Sequence, residues 1–197
     1  AGNGSGADCG GCRLREPAVV PPTDGEARMR LVDRYGRVHT DLRVSLTDRC
    51  SLRCSYCMPA GPPPLIGSAR ILTRGELVRA VGLLIGLGIR QVRLTGGEPL
   101  LRPDVVETVA ALRGLPDAPT LALTTNALRL AALAAPLAAA GLARVNISLD
   151  TLRRDRFRAI TGRDRLVDVL AGITAARAAG LTPVKVNAVL LRGVNDD

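Results

Sequence analysis

From residue 41 onward, short runs rich in Leu, Val and Ile alternate with longer helix-forming stretches, and this alternation restricts the fold more than any other feature of the chain. Strands are predicted over 42–46, 91–94, 121–123, 145–149 and 184–191, and helices over 73–87, from Pro103, over 128–140, over 151–160 and over 165–179. Thr73 with Glu76 reads as a capping box, and Gly88, Gly141 and Gly180 stand where helices stop. Recurring strand–helix–strand units build right-handed crossovers and a parallel sheet, and these strands are apolar enough to be covered on both faces. No Gly-x-Gly-x-x-Gly or Walker sequence follows a strand, so Rossmann and P-loop architectures lose support. An α/β chain folded as a (β/α) barrel, or as an open part of one, is left.

The 197 residues suffice for one domain. Aromatics are scarce (Tyr35, Tyr56 and Phe157, with no Trp), so the core must come from Leu, Val, Ile and Ala. No stretch approaches the ~18–20 apolar residues that cross a bilayer; the nearest, 130–143, is broken by Pro136 and flanked by Arg129 and Arg144. A membrane-spanning helix is therefore excluded, and the absence of a signal peptide points to the cytoplasm. The net charge of +9 rests on 27 basic residues, among which Lys185 is the one lysine. Such a balance favours an anionic partner, either nucleic acid or a phosphorylated small molecule. A single histidine, His39, expected to be exposed ahead of the first strand, rules out a two-His metal site and argues against a Ser-His-Asp triad. Residues 1–40 are rich in Gly, Pro and charge and read as a flexible extension, with residues 41–197 as the core. Cys9 and Cys12 lie in that extension as a pair without an assigned function. A chain that starts at Ala1 and stops in the polar run Asn195-Asp196-Asp197 reads as a fragment.

A barrel of this kind places its chemistry at the carboxyl ends of its strands, and the polar clusters of this sequence fall there. The first strand runs into Thr47-Asp48-Arg49-Cys50 and on to Cys54, Tyr56 and Cys57; the second ends in Thr95-Gly96-Gly97-Glu98-Pro99; the third in Thr124-Thr125-Asn126; the fourth in Ser148-Leu149-Asp150; and the fifth carries Lys185-Val186-Asn187. Thiolates select zinc or iron–sulfur clusters. Structural zinc takes four ligands, usually in two separated pairs, and electron-transfer clusters take four cysteines. Cys50, Cys54 and Cys57 offer three, which leaves one iron of a [4Fe–4S] cube open, as a catalytic cluster requires.

The spacing Cys-x3-Cys-x2-Cys with Tyr56 before the third cysteine resembles the signature of radical S-adenosylmethionine enzymes, and Thr95-Gly96-Gly97-Glu98-Pro99 resembles the glycine-rich segment after their second strand. The flanks Asp33-Arg34-Tyr35-Gly36-Arg37, residues 42–50, Tyr56-Cys57-Met58-Pro59, Leu123-Thr124-Thr125-Asn126, residues 146–150, Val184-Lys185-Val186-Asn187 and residues 193–197 are similar to the GTP 3′,8-cyclase family of molybdenum cofactor biosynthesis. The resemblance implies a radical S-adenosylmethionine type of partial barrel, incomplete at its C-terminus. It implies that Cys50, Cys54 and Cys57 hold a [4Fe–4S] cluster, that Tyr56, Gly97 and Ser148 contact S-adenosylmethionine, and that Arg43, Arg93, Thr124 and Lys185 bind GTP. It further implies cyclisation of GTP to (8S)-3′,8-cyclo-7,8-dihydroguanosine 5′-triphosphate, a one-electron reductant, and a downstream cyclic pyranopterin monophosphate synthase. Nucleic acid and membrane are not among the partners it implies. Proteins of that family carry a second [4Fe–4S] cluster in a C-terminal region not present in these residues, so the chain alone is expected to be inactive.

Each assignment has a plainer counterpart. Tyr56 could stack on adenine or pack in the core. Gly97 could admit a ligand close to the backbone or serve a tight turn. Glu98 could accept from the methionine ammonium or pair with an arginine. Ser148 and Thr124 could cap helices, as Asp150 is expected to. Lys185, mid-strand between two valines, is suited to reach a triphosphate, or faces outward. Ser51 stands where the family carries Asn. The alternatives are another radical S-adenosylmethionine reaction (peptide modification or nucleotide rearrangement), a zinc-containing nucleic-acid-binding module, or an electron carrier. The second lacks aromatic stacking residues, and the third lacks a fourth thiolate.

Overall fold

Burial is deepest in the middle of the sheet, where three consecutive positions are buried in Thr120–Thr125 and in Arg144–Ser148, and it falls away toward both ends. A computed structural model describes residues 29–57, 66–67 and 70–196; Cys9, Cys12 and the loop prolines Pro59 and Pro62 to Pro64 lie outside the described residues. The strands are β1 (Asp41–Ser45), β2 (Gln91–Thr95), β3 (Thr120–Thr125), β4 (Arg144–Ser148) and β5 (Lys185–Asn187). Between them run α1 (Arg74–Gly86), a 3₁₀ turn (Pro99–Leu101) followed by α2 (Val105–Arg113), α3 (Leu130–Ala139), and the pair α4 (Arg154–Thr161) and α5 (Leu166–Ala178). All four pairings are parallel and the strand order is β1-β2-β3-β4-β5. Consecutive strands are neighbours, as in one arc of a (β/α) barrel.

The capping box forms as the sequence predicts: the Thr73 side chain accepts from the Glu76 amide while Glu76 accepts from the Thr73 amide, and α1 stops at Gly88 with φ +101°. Pro103 lies two residues ahead of α2, with Asp104 between it and Val105. One core joins Leu94, Leu123, Val145 and Ile147 of the strands to Leu77, Val109, Leu137 and Val169 of the helices. Burial of these side chains supplies the main driving force, about 1.5–3 kcal/mol for each large aliphatic group. Gly172 lets α5 close on α3: a Cβ there would stand 2.7 Å from the Ala127 carbonyl oxygen and 3.1 Å from the Leu130 Cβ.

Two expectations need correction. Only one face of the sheet carries helices; the register puts Arg43, Arg93, Thr124, Asn146, Ser148 and Lys185 on the other. A count of apolar residues per strand misses this, because the charged and polar residues sit at every second position. The fifth strand spans three residues rather than 184–191. It pairs with β4 alone among the described strands, its residues are exposed, and the chain then turns away, with the Val189 amide donating to Asp150 and the Leu191 amide to Asn195. Residues 31–39 form a small antiparallel turn around Asp33, whose carboxylate accepts from the Tyr35 and Arg37 amides. His39 is exposed there.

Candidate active site

The cysteine loop is fixed from three directions. On the β2 side, the Gly97 amide donates to the Thr47 carbonyl and the Glu98 amide to the Arg49 carbonyl, both at 2.7 Å. A Cβ on Gly97 would stand 2.3 Å from the Arg49 carbonyl oxygen, and one on Gly96, where φ is +145°, 2.4 Å from that of Thr47. The space beside Gly97 is thus filled by the loop backbone, which accounts for this glycine without a ligand. From the far side, the Arg53 and Ser55 amides donate to the Thr161 and Ile160 carbonyls at the end of α4. Above β4, the Tyr56 hydroxyl donates to Asp150 Oδ2 at 2.7 Å. Tyr56 is 43% exposed and is not a core residue. Asp150 caps no helix: its other oxygen accepts from Val189, and its carbonyl accepts from the Asn195 side chain.

Glu98, 1% exposed, stands under this loop. Its carboxylate accepts from the Leu100 amide and the Thr125 hydroxyl at Oε1 and from the Asn126 amide at Oε2. Burial pushes its carboxyl up from the ordinary value, and those three donors oppose the shift. Glu98 thereby clamps the end of β3, and Asn126 passes the order on to the cysteines, donating to Ser51 Oγ at 3.1 Å and lying 3.9 Å from Cys50 Sγ. Sequence reasoning assigned Asn126 no role. Its place directly after a strand, on the rim, was the available signal.

Cys50 and Cys54 are half-buried, Cys57 is exposed, and all three are free thiols. Burial pushes the Cys50 thiol up and that of Cys54 to about 11; Cys57 adds to both shifts, and Cys50 adds to that of Cys54. Three thiols close enough to repel as thiolates are suited to a polynuclear cation that discharges all of them at once. Among the described residues no three His, Cys, Asp or Glu converge as a single ion would need; thiolates of a cluster bind different irons and do not need such convergence.

The polar face of the sheet extends below the loop. Arg43, Arg93, Ala122 and Arg144 occupy one level of it, and Thr124, Asn146 and Lys185 the level two residues nearer the rim. Among the described residues Arg93 Nε and Asn146 Oδ1 are buried without a hydrogen-bond partner, Asn146 being only 5% exposed. Lys185 is exposed on this face and Ser148 stands at its upper end. The residues predicted from the sequence therefore share one side of the sheet, with the cysteine loop over its carboxyl edge.

Three thiolates on a rim loop, set above the cationic face of a parallel β/α arc, define a class of iron–sulfur enzyme that works at the mouth of its sheet. The chain belongs to the radical SAM superfamily, which matches residues 44–197; membership brings a [4Fe–4S] cluster and S-adenosylmethionine, and the donor set fits the cluster. The chain is 56% identical over 168 residues to the GTP 3′,8-cyclase of Streptomyces coelicolor, covering 85% of this chain and 49% of that protein. It is 54% identical over 178 residues to GTP 3′,8-cyclase 2 of Mycobacterium tuberculosis, covering 90% and 48%. The chain thus spans about half the length of the curated relatives it matches. In structure it is similar to Streptococcus suis SuiB bound to S-adenosylmethionine (TM-score 0.63, 20% identity, 78% of this chain and 34% of that one). It is also similar to methylornithine synthase PylB (TM-score 0.61, 20% identity, 80% and 46%). Among the described residues no helix is long and apolar enough to cross a membrane.

Proposed function

We propose that this chain is the cluster-bearing part of a GTP 3′,8-cyclase, joining ribose C3′ to guanine C8 in the first step of molybdenum cofactor biosynthesis. The observation that carries this reading is the register, which sets Arg43, Arg93, Thr124, Ser148 and Lys185 on one face beneath the cysteine loop. Names of relatives at 50–56% identity support GTP in particular.

Cys50, Cys54 and Cys57 would hold the cluster, with the loop pre-positioned by Gly96, Gly97 and the α4 carbonyls. When bound, the cluster and S-adenosylmethionine supply a one-electron cleavage that yields a carbon radical able to take the ribose 3′ hydrogen. Ser148 and Tyr56 flank the rim where S-adenosylmethionine would sit, and Gly97 serves it by fixing the loop. Arg43, Arg93 and Lys185 supply fixed positive charge for a triphosphate and so orient the ribose toward the rim. Thr124 offers a hydroxyl on the level nearer the rim, beside Asn146. The second cluster, the reductant and the consuming pterin-forming synthase belong to the same proposal.

Anaerobic reconstitution with iron and sulfide should give a cube-type cluster in the parent and none in Cys54→Ala. Equal cluster iron in the two would overturn the assignment. Equilibrium binding should favour GTP over ATP and over a peptide, and Lys185→Ala should weaken it. Unaltered GTP affinity in that variant would favour a different radical S-adenosylmethionine reaction.

A further inference from the structure

Like charges directly opposite one another on a sheet are unfavourable, yet this sheet places three arginines on one level. Arg43 faces Arg93, Arg93 faces Ala122, and Ala122 faces Arg144. Several other arginines of this chain pair with carboxylates, namely Arg37 with Asp33, Arg102 with Asp104, Arg154 with Asp164 and Arg165 with Asp168. Among the described residues none of the three in this row has such a partner, and Arg93 Nε is buried with nothing to donate to.

Arg144 is not among the residues the sequence singled out. It starts β4, is half-buried, and its Nη2 donates to Gln91 Oε1 on β2 at 2.6 Å. To reach Gln91 it crosses β3, where the register sets Ala122 opposite Arg144 and Thr120 opposite Gln91. At the ~4.8 Å spacing of parallel strands the row from β1 to β4 is about 14 Å wide, with the methyl of Ala122 as its floor. Ser148 lies four residues further along β4, about 13 Å nearer the rim. A ligand whose reacting end lies under the cysteine loop would present its far end to this row.

We infer that Arg144 is a third phosphate-binding arm, with Gln91 as its positioning residue, so that Arg43, Arg93 and Arg144 together grip the terminal phosphates of a nucleoside triphosphate. This rests on the proposed reading for the identity of the base, but not for that of the anion. A neutral glutamine suits the role because it orients the guanidinium and leaves its charge unspent.

The test uses the chain itself, with equilibrium binding of GTP, ATP, guanosine and inorganic tripolyphosphate, and with melting temperature as a second readout. Arg144→Met should weaken GTP and tripolyphosphate by roughly tenfold to a hundredfold, the range of one charge-assisted bond, and leave guanosine unchanged. Gln91→Glu separates binding from structure: it keeps the cross-strand contact, converts it into an ion pair and should hold or raise the melting temperature, but by neutralising Arg144 it should weaken tripolyphosphate as much as Arg144→Met does. Parental anion affinity in both variants, or no tripolyphosphate binding by the parent, would overturn the inference. Arg144-dependent tripolyphosphate binding with no preference for GTP over ATP would uphold the inference and sink the GTP reading.

Discussion

Replacing Gly97 by alanine should damage cluster loading through a purely steric route. The new Cβ would lie 2.3 Å from the Arg49 carbonyl oxygen, 2.6 Å from its carbon and 2.8 Å from the Asp48 carbonyl oxygen. All three are backbone atoms, so no rotamer change relieves the clash. Restoring an ordinary 3.4 Å contact requires the loop or the glycine turn to move by about 1 Å. The two hydrogen bonds between the same segments, from Gly97 to Thr47 and from Glu98 to Arg49, would then stretch well past their present 2.7 Å. Overpacking costs about 1–3 kcal/mol, and two lost backbone bonds about 1 kcal/mol each, for a total of about 3–5 kcal/mol. In a domain of this size that lowers the melting temperature by on the order of 10 °C. Gly86→Ala is the matched control: the site is exposed at the end of α1, nothing lies within 4 Å of the new Cβ, and helix propensity favours alanine by about 0.8–1 kcal/mol. Thermal melts of the apoprotein and iron content after anaerobic reconstitution would be compared for the two variants. If Gly97→Ala melts within a degree of the parent and loads as much iron, the claim that this turn holds the cysteine loop is wrong.

Tyr56→Phe removes the 2.7 Å bond to Asp150; because the tyrosine is partly exposed, the loss should be about 0.5–1.5 kcal/mol, read as a modest drop in melting temperature and faster release of cluster iron to a chelator. Arg102, 9% exposed, donates to the Leu46 and Leu72 carbonyls and to Asp104. Asp104→Asn should therefore cost about 1–2 kcal/mol at neutral pH. The Arg102 side chain holds the Asp104 carboxyl below its ordinary range, so its contribution is present above about pH 4 and is lost as pH falls through the folded-state value. The gap in stability between parent and variant should accordingly close in acid, as pH-dependent chemical denaturation would reveal; a gap that widens there would contradict the assignment.

The arc of strands was legible because each carries its own local signal, and the rim clusters because they follow those strands directly. Lys185 stood out by being the one lysine, and strand parity alone puts it level with Asn146 on the polar face. What local pattern could not yield was coupling between strands far apart in sequence. Arg144 reaches Gln91 across β3, and Glu98 collects donors from residues 125 and 126; both depend on register, which no single segment encodes. For Gly97 the sequence leaves ligand approach and a tight turn open, because a missing side chain looks the same whether substrate or backbone fills the gap; in the structure the Cβ direction points at the Arg49 carbonyl. Asp150 was expected at a helix start because Asp often serves there, but α4 begins later and the carboxylate faces the cysteine loop.

Asp150 has one more consequence. A single carboxylate grips Tyr56 with one oxygen and the Val189 amide with the other, so the cysteine loop and the segment after β5 share one latch. Neither can fray without loosening the other, which makes them a single opening unit in the sense of native-state exchange. Filling the thiol site should slow deuterium uptake at Val189 and Leu191, more than a hundred residues away along the chain.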